Sequence, residues 1–385
     1  MIRALGLACL TLTLWTCGHS SPTSAGSQAD AGGLDAGVDA GTASPTVDSG
    51  TTTLDSGTTL DSGTTLDAGL VVDAGVDAGA TTPDAGADAG APPAPDAGAS
   101  AEVRFVAIGD TGKGNTGQFQ VGQAIGAHCA ANGCDFVVLL GDNFYPTGVG
   151  STTDPQWQTA FVDPYAPVNA PFYAVLGNHD YGGDGAGTDL PRGDHEVAYS
   201  QVNPKWRMPA HHFRWSLRHV DFFAADTNRS MFSVDQAVRA DFDRWLPAST
   251  ARWKIVFAHH PYKSNGEHGN AGNYDGLSFI PIVNGAGVKR FVEDRVCGEA
   301  DFYITGHDHD IEWLQATCTK AGSRTQTQLI VSGGGAATTP IVGNQPTWYS
   351  SDQLGFVYVV IRDNTFTATF YDANGAQQFT RSVTK

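Results

Sequence analysis

Short apolar runs recur along the chain from residue 103 onward, and several stop at a glycine followed by a polar residue. Val103–Ile108 leads into Gly109-Asp110, Phe136–Leu140 into Gly141-Asp142, and Phe172–Leu176 into Gly177-Asn178-His179. Lys254–Phe257 leads to His259, and Phe302–Ile304 to Gly306-His307-Asp308-His309. Short continuous apolar runs bounded by turn residues predict strands buried on both faces. Phe213–Leu217 and Val220–Ala225 predict a hairpin, and Leu329–Val331, Phe356–Ile361 and Thr365–Tyr371 predict further strands. Helical patterning covers Gln118–Ala131, Ser233–Leu246 and the second half of Ile280–Cys297, past Gly285 and Gly287. Strands and helices alternate and the chain finishes in strands, which predicts a layered α/β fold with mixed sheets. Sites in such folds gather at the carboxyl ends of strands. Five strands that each end in Asp, Asn or His therefore predict one site, with the adjacent glycines expected to let the backbone turn sharply.

The N-terminal quarter follows another pattern. Arg3 and the apolar run Ala4–Trp15 read as an export signal, too short for the ~20 residues a membrane span needs. Leu14-Trp15-Thr16-Cys17 resembles a bacterial lipobox, in which Cys17 would be lipidated. Residues 1–20 are thus expected to be a signal or lipobox region. Residues 21–101 repeat Asp-Ala-Gly and Leu-Asp-Ser-Gly-Thr-Thr with no Lys, Arg or aromatic residue. Such a stretch cannot bury enough apolar surface to offset the entropy of ordering it. It reads as a disordered, extended tether, and residues 102–385 as one domain. The expected location is outside the cytoplasm: secreted, periplasmic or lipid-anchored at the cell envelope.

Charge changes meaning once the tether is set apart. The chain has 385 residues and a net charge of −18, but twelve Asp lie in the tether. The remainder carries 28 acidic and 21 basic residues, a net charge near −7. No basic stripe is available for nucleic acid. Membrane contact is expected only through an N-terminal lipid, and the oligomeric state is left open.

Converging carboxylates and imidazoles would repel one another or stay unsatisfied unless cations joined them. Carboxylate, imidazole, amide oxygen and phenolate together suit borderline to hard transition metals. Two ions about 3.5–4 Å apart need a bridging ligand, and Asp142 lies centrally among the clusters.

The five blocks Gly109-Asp110-Thr111-Gly112, Gly141-Asp142-Asn143-Phe144-Tyr145, Gly177-Asn178-His179-Asp180, His259-His260-Pro261 and Gly306-His307-Asp308-His309 resemble those of the purple acid phosphatases, in the same order. These enzymes are part of the calcineurin-like metallophosphoesterase superfamily. The resemblance is to the short, tartrate-resistant acid phosphatase type, and covers about Val103 to Lys385. It implies a β-sandwich of mixed sheets flanked by helices. It also implies two metal ions: Fe(III) on Asp110, Asp142, Tyr145 and His309, and Fe(II), Zn or Mn on Asp142, Asn178, His259 and His307. Catalytic roles would fall to His179, hydrogen-bonding the phosphate, and to His268, near the leaving group. His260 reads as structural. Gly112 stands where many relatives in the superfamily have a metal-binding His, and Tyr145 would supply the missing ligand. A loop that shields the site in the mammalian type is short here, at Thr227 to Ser233, so activity without cleavage in this region is expected.

The implied reaction is hydrolysis of phosphate monoesters, with hydroxide on the metals attacking phosphorus. The same site could serve a phosphodiesterase or nucleotidase, and a tethered surface binding protein is the non-enzymatic alternative. Beyond the tether lie Cys129, Cys134, Cys297 and Cys318, which allow three disulfide pairings. Closeness in sequence favours Cys129–Cys134 and Cys297–Cys318, with free thiols the alternative.

Overall fold

A computed structural model describes residues 102–385 and the two-residue strand β1, Ala87–Asp88. The export signal, the lipobox Cys17 and the rest of the tether lie outside the described residues. Two sheets face each other. The first has the order β1, β6 (Phe213–Leu217), β7 (Val220–Ala224), β8 (Trp253–Phe257), β9 (Phe302–Thr305), β11 (Thr327–Ser332), β10 (Ile311–Cys318), β12 (Thr347–Ser351). The second has the order β15 (Gln377–Thr384), β14 (Thr365–Asp372), β13 (Gly355–Arg362), β2 (Glu102–Ile108), β3 (Phe136–Leu140), β4 (Phe172–Val175), β5 (Trp206–Arg207). Both are mixed. β2, β3 and β4 pair in parallel, as do β7, β8 and β9, while β13 joins β2 antiparallel.

The sandwich closes on aromatic side chains. Phe105 and Phe136 of the second sheet meet Phe222 of the first edge-on, at 5.7 and 5.1 Å between ring centroids. A second core lies between the first sheet and two helices, where Phe223 and Val256 pack with Phe242 and Trp245 of α4 (Gln236–Ala248) and Phe291 of α5 (Ala286–Phe291). α1 (Thr116–Asn132) covers the second sheet beside β13. Its cap fits the sequence: Asn115 accepts the Gln118 amide at 2.9 Å, and Gly133 follows its end with φ +81°, which glycine adopts without strain. Short helices α2 (Asp194–Tyr199) and α3 (Thr227–Met231) sit between strands. This is the expected layered sandwich.

Several elements differ from expectation in instructive ways. The helix expected from Ser233 starts only at Gln236, because Ser233 itself has φ +58°. The short Thr227–Ser233 stretch holds α3, capped by Asp226 accepting from the Arg229 amide at 3.1 Å. β5, β10, β12 and β15 have no counterpart in the apolar pattern. Within the stretch read as a tether, Ala87–Asp88 pairs in parallel with Phe213–Arg214. Both preferred disulfides are present, Cys129–Cys134 and Cys297–Cys318. Among the described residues no helix is long and apolar enough to cross a membrane.

Candidate metal centre

The five polar strand ends come together, but from two sheets rather than one. Asp110, Asp142 and Asn178 follow the neighbouring strands β2, β3 and β4, whereas His259 and His307 follow β8 and β9. The sandwich is tied at this end by the Gly109 amide donating to the Ser332 carbonyl at 2.7 Å. Asp110, Asp142 and His307 have φ of +60°, +52° and +72°. Non-glycine residues held in this region carry a strain of roughly 1–3 kcal/mol, which clusters at functional sites. The turn is thus made by the polar residues themselves, correcting the expectation that the glycines make it. Of Gly109, Gly141, Gly177 and Gly306, which precede the polar clusters, only Gly141 has positive φ. The others serve close approach: a Cβ on Gly177 would lie 2.2 Å from Asp142 Oδ1, and one on Gly306 would lie 2.5 Å from Asp110 Oδ2.

Two sets of donor atoms meet at Asp142. The Tyr145 hydroxyl lies 3.2 Å from Asp110 Oδ1, 3.0 Å from Asp142 Oδ2 and 3.0 Å from His309 Nε2. On the other side, His259 Nε2 lies 3.3 Å from Asp142 Oδ1, 2.9 Å from Asn178 Oδ1 and 3.1 Å from His307 Nδ1. Donors held about 2.0–2.2 Å from one ion lie roughly 3.0–3.5 Å apart along the edges of its polyhedron, so both sets have ligand spacing.

The surroundings aim lone pairs inward. His259 Nδ1 is 2.8 Å from the Leu140 carbonyl, which fixes the proton there and leaves Nε2 as an acceptor. Asn178 donates its amide to the Gly185 carbonyl at 2.8 Å, so Oδ1 faces His259 Nε2. Two acceptors facing each other at 2.9 Å in a partly buried place are unsatisfied without a cation. The residues present therefore fit a metal centre. Burial and the charges of Asp142 and Asp110 push the Tyr145 phenol well above its usual range, so only a strong Lewis acid would hold it as phenolate. Burial and the neighbouring histidines push His307 well down, leaving it neutral and able to ligate.

The expected catalytic histidines flank the two sets. His179 donates its backbone amide to Asp142 Oδ1 at 2.9 Å, and its ring stands 4.4 Å from that of Tyr145. Its Nδ1 lies 2.6 Å from the Pro146 carbonyl and its Nε2 4.0 Å from Asp142 Oδ2. His268 stacks on His307 at 4.1 Å, with Nδ1 2.8 Å from Asp275 Oδ1. Burial opposes its charge, but Asp275, Asp308 and Asp110 outweigh that and push it up to about 9. His260 is buried and within 4.8 Å of the donors of His259 and His307, yet its Nδ1 is engaged by Thr227 Oγ1 at 2.9 Å.

Sequence reasoning missed the layer behind. Asp180 accepts the amides of Gly177 and Asn143 at 2.8 Å and of Phe144 at 3.1 Å, joining the two loops that carry Asp142, Tyr145, Asn178 and His179. Glu196 packs behind it, pushed far above the usual carboxylate range by burial and by Asp180, and accepts from Asn143 Nδ2 at 3.0 Å. Asp308 accepts the amides of His268 at 2.7 Å and Gly269 at 3.2 Å. Lys113 holds its ammonium 3.9 Å over the Tyr145 ring. Only the adjacency of Asp180 and Asp308 to the ligand blocks could have signalled them. Two basic side chains are held by backbone carbonyls: Arg192 donates to Thr147, and Lys205 to Tyr165 at 2.6 Å.

Comparison with known proteins fits this geometry. Residues 103–310 match the family described as calcineurin-like phosphoesterase. Purple acid phosphatase 7 of Arabidopsis thaliana is 30% identical over 74% of this chain and 86% of its own. Tartrate-resistant acid phosphatase type 5 of Rattus norvegicus is 28% identical over 73% of this chain and 90% of its own. Among solved structures, GAP50, described as the anchor in the inner membrane complex of Plasmodium, superposes with a TM-score of 0.58 at 21% identity. It covers 74% of this chain and 89% of its own, a likeness of fold.

Proposed function

This chain belongs to the calcineurin-like phosphoesterase family, as one of its purple acid phosphatases, and from that premise we propose how its residues divide the work. The activity is hydrolysis of phosphate monoesters at a dinuclear metal centre. Asp110, Asp142, Tyr145 and His309 hold the first ion, and Asp142, Asn178, His259 and His307 the second. The observation that carries this is the position of Asp142, whose two oxygens face two different donor sets. The phenol in the first set favours Fe(III) there, and the neutral imidazoles and amide oxygen of the second favour Fe(II), Zn or Mn.

When bound, the two cations would neutralise the phosphate and lower the pKa of a water, so that hydroxide is available to attack phosphorus. The protein contributes orientation and protons. His179, whose Nδ1 donates to the Pro146 carbonyl, turns Nε2 to the site, where the doubly protonated ring would donate to a phosphoryl oxygen. His268, kept protonated by Asp275 and Asp308, faces the leaving oxygen and gives it a proton. Glu196 and Asp180 keep both ligand loops in register.

Export fits the two disulfides, which persist in oxidising compartments. Lipidation at Cys17 is tested by incorporation of a labelled fatty acid, which Cys17→Ser should abolish. The test of the whole reading is metal analysis of the purified protein with its visible spectrum and its turnover of a small aryl phosphate. Fewer than two metals per chain in active protein would overturn the dinuclear assignment.

A further inference from the structure

Next to His268 the chain builds an apolar loop that the chemistry above does not use. Its neck is closed by the Tyr274 amide donating to the Asn284 carbonyl at 3.1 Å, and its interior by Asn284 donating to the Ser278 carbonyl at 2.9 Å. The neck is part of the site: the buried Tyr274 ring stands 5.7 Å from His307, and Asp275 holds His268. From Gly276 to Val288 there is no charged side chain. Phe279 is nevertheless 76% exposed and Ile282 62% exposed. A loop closed by its own hydrogen bonds is a built surface, and large apolar side chains held out in water there mark an interaction site.

A second apolar segment is tied to the same site. Thr339 donates its amide to the His309 carbonyl at 3.1 Å, and Val342 donates to the Asn265 carbonyl at 2.8 Å. Between them run Pro340 and Ile341, and Val342 is 65% exposed. Exposed carboxylates accompany these segments, Glu267 beside His268 and Asp184 in the loop that packs Gly185 against His179. Nearby cations are engaged, Arg192 with the Thr147 carbonyl and Lys113 over Tyr145. This edge of the site offers apolar surface beside two exposed carboxylates.

We propose that Phe279 and Ile282, with Val342 of the second segment, form a subsite for the leaving group, and that the enzyme selects phosphate monoesters of uncharged, apolar alcohols. The proposal rests on the phosphatase reading, with His268 on the leaving-group side. A polar ester loses nothing by leaving these side chains in water, whereas an alkyl or aryl group covers them on binding.

The test uses the full-length, metal-loaded protein and a series of n-alkyl phosphates from propyl to octyl, whose leaving alcohols are nearly equal in basicity. Wild-type kcat/KM is expected to rise by about twofold per methylene, the gain from partly burying each CH2. In the variant Phe279→Ser/Ile282→Ser, with folding checked by circular dichroism, the octyl-to-propyl ratio should fall about tenfold. An equal ratio in both proteins overturns the proposal. So does a sedimentation result in which the wild type self-associates and the variant does not, since the patch then serves a second copy. Binding of the matching n-alkylphosphonates, followed by calorimetry, reads the same dependence without turnover. Should no ester be hydrolysed, the phosphatase reading falls, and the phosphonate series still decides whether the subsite exists.

Discussion

His259 Nε2 and Asp142 Oδ1 lie 3.3 Å apart although they end strands of opposite sheets, β8 and β3. The centre therefore stands on the closure of the sandwich, and neither sheet could hold two ions alone. Acting as a bridge, Asp142 would couple the two ions chemically as well as spatially.

Asp142→Asn should empty both positions and lower kcat by more than about a hundredfold, beyond the 10–100-fold typical of losing an outer partner. Asp110→Asn should weaken chiefly the first position, because Asp110 Oδ1 faces Tyr145 and His309 while Oδ2 accepts the His307 amide. Metal content per chain after gel filtration separates the two. Two tightly bound ions in the Asp142→Asn protein would contradict the bridge.

The parts legible in the sequence are those where a local pattern coincides with a tertiary need. Phe136–Leu140 is buried throughout, so its apolar run reproduces the strand at both ends. β15 escaped because Gln377–Thr384 is largely exposed, with few apolar positions to reveal it. β10 escaped because it starts two residues after His309 and opens Ile-Glu-Trp, with Glu312 buried and bonded to Ser264 and Asn265. The metal-facing residues were legible as blocks. Asp180, Glu196 and Lys113 were not, because the burial of a carboxylate or the stacking of an ammonium is decided by distant residues.

Asp180 offers a test of how the ligand loops are held. Asp180→Asn keeps the shape but turns one acceptor into a donor facing the Gly177 amide or Asn143 Nδ2. A buried donor left unsatisfied costs about 1–3 kcal/mol, so the melting temperature should fall. Metal affinity should weaken by roughly 10–100-fold, as for outer partners of metal ligands. Calorimetric metal titration checks it. Unchanged affinity with lower stability would make Asp180 a structural residue only.

His268 makes a prediction about pH. Its charged form is held by Asp275, and it titrates near 9, above its ordinary 6.5. A general acid is lost as pH rises through its pKa, so this group sets an alkaline limb of kcat/KM. Asp275→Asn removes the hydrogen-bonded charge and should move that limb down by about one unit or more. Stability follows the same sign. The Asp275 contribution is fully present below pH 6.5 and lost as pH rises through 9, so wild type and variant should converge in melting temperature at alkaline pH. A limb that stays in place would remove His268 from the proton transfer.

The disulfides differ in the chain they close. Cys297–Cys318 spans 21 residues and Cys129–Cys134 spans 5. Loop-closure entropy gives about 3 and 2 kcal/mol respectively. Replacing both cysteines of a pair by Ala should therefore lower unfolding free energy more for the longer loop, as read from urea midpoints. The reverse order would show that packing around Cys129, in α1, dominates.

Tyr145 carries the sharpest consequence, because a phenol is an unusual choice for a buried place between two carboxylates. Those carboxylates and burial hold its proton firmly, well above the usual pKa near 10. A divalent ion has little power to displace that proton below neutrality, whereas a trivalent ion does. Tyrosinate on Fe(III) absorbs in the visible through ligand-to-metal charge transfer, so the oxidised protein should be pink to purple. Tyr145→Phe keeps the ring that packs under Lys113 and beside His179. Its fold should therefore survive, while the band disappears and the first ion is lost more readily to a chelator. Retention of both colour and full iron content would show that Tyr145 is no ligand. The chain would then be a dinuclear phosphoesterase without the iron–phenolate pair, and the argument for Fe(III) at its first position would go with it.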